Sequence, residues 1–196
     1  MKKLYCDMDG VLVDFAAGAL ELVNNALNKE QYLTWKEHKA LKKRLEIEGR
    51  ESIELVDLEK PEYRGRNEEE VMPEARAFMK VLIEEAGEEW WANLPWMPGG
   101  QKLWNAITTY NPTILTAPMA NAHGCEAGKA TWVENNLGKH KVIYEDKKYN
   151  YAHSGAVLVD DFEINIIPWI EAGGVAVHHH HDSVTSTINK IKEAID

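Results

Sequence analysis

The chain has 196 residues, 44% of them hydrophobic and 28% charged, and a formal charge of −10. This is an ordinary globular balance, with room for one sizeable core and an inserted subdomain. An acidic surface disfavours a nucleic acid duplex or an anionic membrane as partner, and no apolar run is long enough for a membrane span. The two cysteines, Cys6 and Cys125, are too few for a disulfide framework. A chain that opens on a strand instead of a leader is expected to carry no secretory signal, and the setting is expected to be reducing and cytoplasmic.

Leu4-Tyr5-Cys6 is predicted to be a short buried strand, followed at once by Asp7-Met8-Asp9-Gly10. A strand ending in acid-x-acid-Gly puts two carboxylates at the carboxyl edge of a sheet, where open α/β sheets bind ligands. Alternate residues of an extended segment share a direction, so Asp7 and Asp9 can face one site. Carboxylates that close repel one another, and a divalent cation such as Mg²⁺ resolves the conflict. The plainer reading of the pair is a turn or cap, since Asp-Gly is a common turn dipeptide.

Residues 16–27 read as a helix. From about 30 to 94 lysine, arginine and glutamate dominate, apolar residues such as Leu41 and Leu45 or Met79, Leu82 and Ile83 recur at helical spacing, and no strand pattern is present. Pro61 and Pro73 break the region, Gly65-Arg66-Asn67 reads as a loop, and Met72-Pro73-Glu74 as a helix start. The segment 29–95 is therefore expected to be a helical cap inserted in an α/β core made of 1–28 and 96–196. Three of the seven tryptophans, Trp90, Trp91 and Trp96, lie near its end. They serve either as packing or as the wall of a substrate pocket, and tryptophan-rich surfaces of the cap leave a homodimer possible.

A helix over 100–110 leads to the strand 112–116, which ends in Thr116-Ala117-Pro118. A hydroxyl at a strand end, followed by free backbone amides, suits a phosphate oxygen. The predicted helix 126–137 carries Lys129, which is either a second basic candidate for the site or a solvated lysine. A short strand over 142–144 precedes Glu145-Asp146-Lys147-Lys148. Gly155 to Val159 form another buried strand, and it ends in Asp160-Asp161, which can complete a metal site begun by Asp7 and Asp9. A helix over 163–172, a strand over 175–177 and a helix over 183–194 follow. Alternation of strands and helices implies a Rossmann-like, doubly wound parallel sheet. His178, His179, His180 and His181 alternate in direction along a strand end, and they read as a loop that binds transition metals adventitiously, not as one built metal site.

Asp7-Met8-Asp9-Gly10-Val11, Thr116, a later lysine and Asp160-Asp161 together resemble the four motifs of the haloacid dehalogenase-like superfamily. The resemblance extends to the 5′(3′)-deoxyribonucleotidases and related phage and bacterial 5′-nucleotidases. It runs through Asp7 to Phe15, Trp90 to Pro95 with Pro98-Gly99, Thr116-Ala117-Pro118, Gly128 to Glu134, Leu137-Gly138, Asp146-Lys147 and Asp160-Asp161. It implies Asp7 as nucleophile, Asp9 as general acid and then base, and Mg²⁺ on Asp7, the Asp9 carbonyl and Asp161 with Asp160 close by. It further implies Thr116 and Lys147 as phosphate ligands and Phe15 as an aromatic beside a nucleobase, where plain packing is the alternative. The family pattern has serine where this chain has Ala117, and a shorter link between the lysine and the acidic pair. The activity implied is removal of phosphate from nucleoside monophosphates. A phosphatase for another small metabolite, such as a sugar phosphate, and a non-catalytic binding protein on the same fold are the alternatives.

Overall fold

The computed structural model describes residues 1–58 and 72–196. Pro61 and Gly65-Arg66-Asn67 lie outside the described residues. The chain separates into two compact units: Met1–Phe15 with Glu88–Ala120 and Gly124–Asp196, and Ala16–Gly87 with Asn121–His123.

The first unit is built on five parallel strands, β1 (Lys3–Cys6), β2 (Thr113–Thr116), β3 (Val142–Tyr144), β4 (Ala156–Asp160) and β5 (Val175–His178), in the order β3-β2-β1-β4-β5. Parallel strands are covered on both faces, so they read as continuous apolar runs without alternation. All five residues of β4 and all four of β2 are buried. Each fully buried valine or leucine contributes roughly 1.5–3 kcal/mol, so these short strands are held by packing more than by intrinsic preference. Tyr5 meets the edge of Trp169 at 5.5 Å between ring centroids, in a cluster with Leu115, Ala156 and Leu158.

Helices separate the strands except between β3 and β4, which a 3₁₀ turn over Lys148–Tyr151 joins. After α1 (Phe15–Ala26), α2 (Lys36–Glu48), α3 (Leu55–Leu58) and α4 (Pro73–Ala92) come α5 (Gly100–Ile107), α6 (Cys125–Leu137), α7 (Glu163–Glu171) and α8 (Val184–Ile195). α8 buries Val184, Thr187, Ile188, Ile191 and Ile195, the stripe that a 3.6-residue period produces, and packs on β4, β5 and α5. The sequence reading carried one helix to residue 110. The α-helix stops at Ile107, and a 3₁₀ turn over Thr108–Tyr110 ends at Asn111, whose φ of 47° is left-handed.

The second unit is helical, and no strand lies among its described residues. Its core joins Val23, Ala26 and Leu27 to Leu41, Leu45, Ile53, Ala75, Phe78 and Leu82. Asp57 accepts from the Glu54 amide at 2.7 Å and pairs with Arg50, which pins the short α3. The sequence placed the boundaries after 28 and after 95; the units divide after 15 and after 87 instead. The physical reason is the apolar face of α1, which is buried with α2 and α4. At the other end Gly87 takes φ 71° and ψ −178° and breaks the helical path of α4.

Candidate active site

β1 and β4 are adjacent and in register, with Cys6 opposite Val159. The Asp7 amide donates to the Val159 carbonyl at 2.9 Å, so Asp7 leaves the sheet beside Asp160 and Asp161. The loop after Asp7 is compact: the amides of Leu12 and Val13 both donate to the Met8 carbonyl at 2.9 Å. Met8, Val11, Leu12 and Val13 are fully buried, and these anchors leave Asp7 and Asp9 to the site.

Asp7, Asp160 and Asp161 each offer a carboxylate oxygen, all within 4.8 Å of one another. Lys148 lies among them, 2% exposed, with Nζ 2.6 Å from Asp7 Oδ1 and 2.6 Å from Asp160 Oδ2. The two oxygens of Asp160 are further occupied by the Phe162 amide at 2.9 Å and the Asn165 side-chain amide at 3.0 and 3.1 Å. Asp160 is therefore a buried anchor that aims Lys148 at Asp7. Asp161 stands against the Cα of Gly10: a Cβ there would lie 2.2 Å from Asp161 Oδ2, and φ of Gly10 is +77°. Only glycine meets both demands without strain.

Burial and the neighbouring Asp160 charge push Asp7 well above the usual carboxylate range, and Lys148 only partly offsets them. Burial, then Asp160, push Asp161 up to about 7. Lys148 is pushed upward by Asp7 and Asp160 against the opposing effect of its own burial. Three carboxylates this close make an electron-rich set that a hard divalent cation would suit, and Asp7 and Asp161 are the candidate ligands with oxygens least committed elsewhere. The Asp9 carboxylate is not in this group. Its Oδ2 accepts from Lys129 Nζ at 2.6 Å, and its Oδ1 is buried without a hydrogen-bond partner among the described residues.

Lys129 is buried, not a solvated helix lysine. It is 1% exposed and also donates to Thr116 Oγ1 at 2.9 Å and to the Ala117 carbonyl at 2.7 Å. Gly128 places it there: a Cβ at Gly128 would sit 2.4 Å from Trp91 Cβ and 2.5 Å from the Glu88 carbonyl, so α6 lies tight against 88–91. The Lys129 ammonium stands 5.5 Å from the Trp91 ring centroid, and that ring stacks on Phe15 at 5.7 Å. Trp90 meets the edge of Phe15 at 5.9 Å.

One residue has to be moved. Lys147 is exposed, its amide bonding Glu145 Oε1 at 2.9 Å, and the lysine beside Asp7 is Lys148. The 3₁₀ turn Lys148–Tyr151 begins one residue after Lys147, and this turns the second lysine inward. Asn165 was missed as well; its signal was position, one helical turn beyond the acidic pair on α7. His178 donates from Nε2 to the Asp161 carbonyl at 2.9 Å, and His179 is buried with Nδ1 3.0 Å from Thr187 Oγ1. Among the described residues, no group of three metal-ligating side chains includes a histidine.

No protein-family model matches the chain, and no curated protein matches it. Solved structures do. A Lactobacillus delbrueckii subsp. bulgaricus protein provisionally named a phosphoglycolate phosphatase aligns over 100% of this chain and 99% of its own, at 13% identity and a TM-score of 0.54. A HAD-superfamily hydrolase from Ehrlichia chaffeensis aligns over 100% of both chains at 14% identity and a TM-score of 0.51. The fold is that of the haloacid dehalogenase-like hydrolases. A HAD family hydrolase from Deinococcus radiodurans R1, solved with bound phosphate and sodium, aligns over 96% of this chain and 87% of its own at 10% identity and a TM-score of 0.51. No described helix is long and apolar enough to cross a membrane.

Proposed function

We propose that this chain is a Mg²⁺-dependent phosphomonoesterase working through a covalent phosphate on Asp7. The observation that carries the reading is Asp7 itself: a buried carboxylate at a strand end, 2.6 Å from Lys148 and grouped with Asp160 and Asp161. The HAD-like fold and the phosphate bound to the Deinococcus protein support it.

In the first step an Asp7 oxygen bonds to phosphorus as the bond to the leaving alkoxide breaks, and Asp9 gives the alkoxide a proton. In the second, water attacks phosphorus, Asp9 takes the water's proton, and the Asp7 carboxylate is released. Lys148 keeps Asp7 oriented and offsets charge. Asp7 and Asp161, with the Asp9 carbonyl, would hold the cation, and Asp160 lies next to them through Lys148. When bound, Mg²⁺ supplies positive charge for the phosphoryl oxygens, the main requirement of a phosphoryl transfer. Thr116 donates to a phosphate oxygen.

The substrate we favour is a nucleoside monophosphate, of the kind 5′(3′)-deoxyribonucleotidases take. The half-buried Phe15 and Trp90, backed by the buried Trp91, support this, as a wall against which a planar base could lie. A second reading is another small phosphorylated metabolite, such as a sugar phosphate. Ala117, with no hydroxyl beside the phosphate, and the provisional name of the Lactobacillus structure favour it. Phosphate release from a panel of nucleotides and sugar phosphates, with and without Mg²⁺, separates the two. Selectivity for a nucleotide supports the first, a preference for a sugar phosphate over every nucleotide replaces it with the second, and no release from any substrate rejects both.

A further inference from the structure

We infer that Lys129 is a positioning residue that holds Asp9 and Thr116 in their working orientations, and that it does not bind phosphate. The inference rests on the phosphomonoesterase reading for what Asp9 and Thr116 do, but its geometry is independent of it. A lysine ammonium has three N–H donors and no acceptor. At Lys129 all three have partners: Asp9 Oδ2 at 2.6 Å, Thr116 Oγ1 at 2.9 Å and the Ala117 carbonyl at 2.7 Å. No donor is left for a substrate oxygen. The side chain is 1% exposed, and α6 is pressed on 88–91 through Gly128.

The same three bonds decide what their partners can do. Asp9 is held by Oδ2, so Oδ1, buried and unpartnered among the described residues, is the oxygen left to move a proton. Thr116 accepts from Lys129 through a lone pair, and that bond leaves the hydroxyl proton to be donated elsewhere. The Ala117 carbonyl fixes the lysine to the end of β2, so the acid from the β1 loop and the hydroxyl from β2 are tied to one cation. Lys129 thus links two strand ends that share no backbone pairing beyond Cys6 opposite Ile114.

Two measurements test this. In a crystal structure of the wild-type protein with Mg²⁺ and inorganic phosphate, Lys129 Nζ is expected on Asp9, Thr116 and Ala117, with Thr116 donating to phosphate. Lys129 Nζ bonded to a phosphate oxygen, or detached from Asp9 and Thr116, overturns the inference. In steady-state kinetics on the preferred substrate, Lys129→Met is expected to lower kcat about 100-fold, the scale of a misplaced catalytic group, while KM and inhibition by inorganic phosphate, which sense only the loosened Thr116, change by much less than kcat does. Lys129→Gln, which keeps donors, is expected to recover part of kcat. A large rise in KM and in the phosphate inhibition constant with kcat retained would make Lys129 a phosphate ligand. A wild-type protein that releases no phosphate from any substrate rejects the phosphomonoesterase reading alone, because the crystal structure still decides where Lys129 bonds.

Discussion

Replacing Lys148 by methionine is the perturbation whose cost follows most directly from the geometry. Methionine fills a similar volume and carries no charge. It leaves Asp7 and Asp160, whose side chains are 9% and 0% exposed, facing one another without the ammonium 2.6 Å from each. Breaking a buried pair by removing one partner costs about 3–5 kcal/mol, because the remaining charge is uncompensated. For a chain of this length each kcal/mol moves the melting temperature by roughly 2–4 °C, so Lys148→Met is expected to melt on the order of 10 °C lower in EDTA. Two controls give the number its meaning. Adding Asp160→Asn removes a stranded charge, so the double variant is expected to melt above Lys148→Met. Mg²⁺ held by Asp7 and Asp161 would supply positive charge beside the stranded Asp7 and is expected to narrow the gap to wild type. Differential scanning calorimetry reads all three. A Lys148→Met protein that melts within about 2 °C of wild type without metal refutes the assignment of Lys148 as the neutralising cation.

Gly10→Ala forces a Cβ to 2.2 Å from the Asp161 carboxylate at a φ of +77°, and the carboxylate must move. Its Mg²⁺ affinity, read by isothermal titration calorimetry, is expected to fall at least about tenfold, the scale of losing the placement of one ligand. Lys147→Ala removes an exposed side chain, so its kcat/KM is expected within about twofold of wild type, as for surface changes generally. The pH dependence has a definite sign. Asp161 is raised from an ordinary 3.8 to about 7, so between those values the folded metal-free protein holds a proton that the unfolded chain has lost. Stability without metal is therefore expected to fall as pH rises through that window, and the raised Asp7 adds to the fall with the same sign. Because the cation needs the ionised carboxylates, the gain in melting temperature from Mg²⁺ is expected to be larger at pH ~8 than at pH ~5, and the reverse order contradicts the reasoning.

The strands were legible because parallel strands buried on both faces leave unbroken apolar runs, as at Ala156 to Val159 and Leu4 to Cys6, and because each run ends in a polar residue at the sheet's edge. Asp7, Asp160, Asp161 and Thr116 could be placed by that rule alone. What depends on a turn of the chain between elements was not legible. Lys147 and Lys148 are adjacent and chemically identical, and only the 3₁₀ turn that starts at Lys148 decides which one is buried. Lys129 falls on the stripe of Cys125, Gly128, Trp132 and Val133 that α6 buries, but glycine and lysine interrupt the apolar pattern there. Its burial follows from the contact of Gly128 with Trp91, which is distant in sequence. Asn165 makes no motif, and its role exists only because Asp160 needs donors for oxygens that face inward. The sequence boundaries of the helical cap, after 28 and after 95, differ from the division into units for a related reason: the apolar face of α1 fits either partner by pattern, and in the structure it packs with Leu41, Leu45 and Phe78.

Mass spectrometry of acid-quenched turnover tests the central claim most directly, because it looks for the bond that Asp7 is proposed to form. With Mg²⁺ and the preferred substrate, one phosphoryl group is expected on the peptide that carries Asp7, and Asp7→Asn is expected to carry no such group and release no phosphate. A phosphoryl group on any other residue, or an Asp7→Asn protein that turns over at the wild-type rate, would contradict the account.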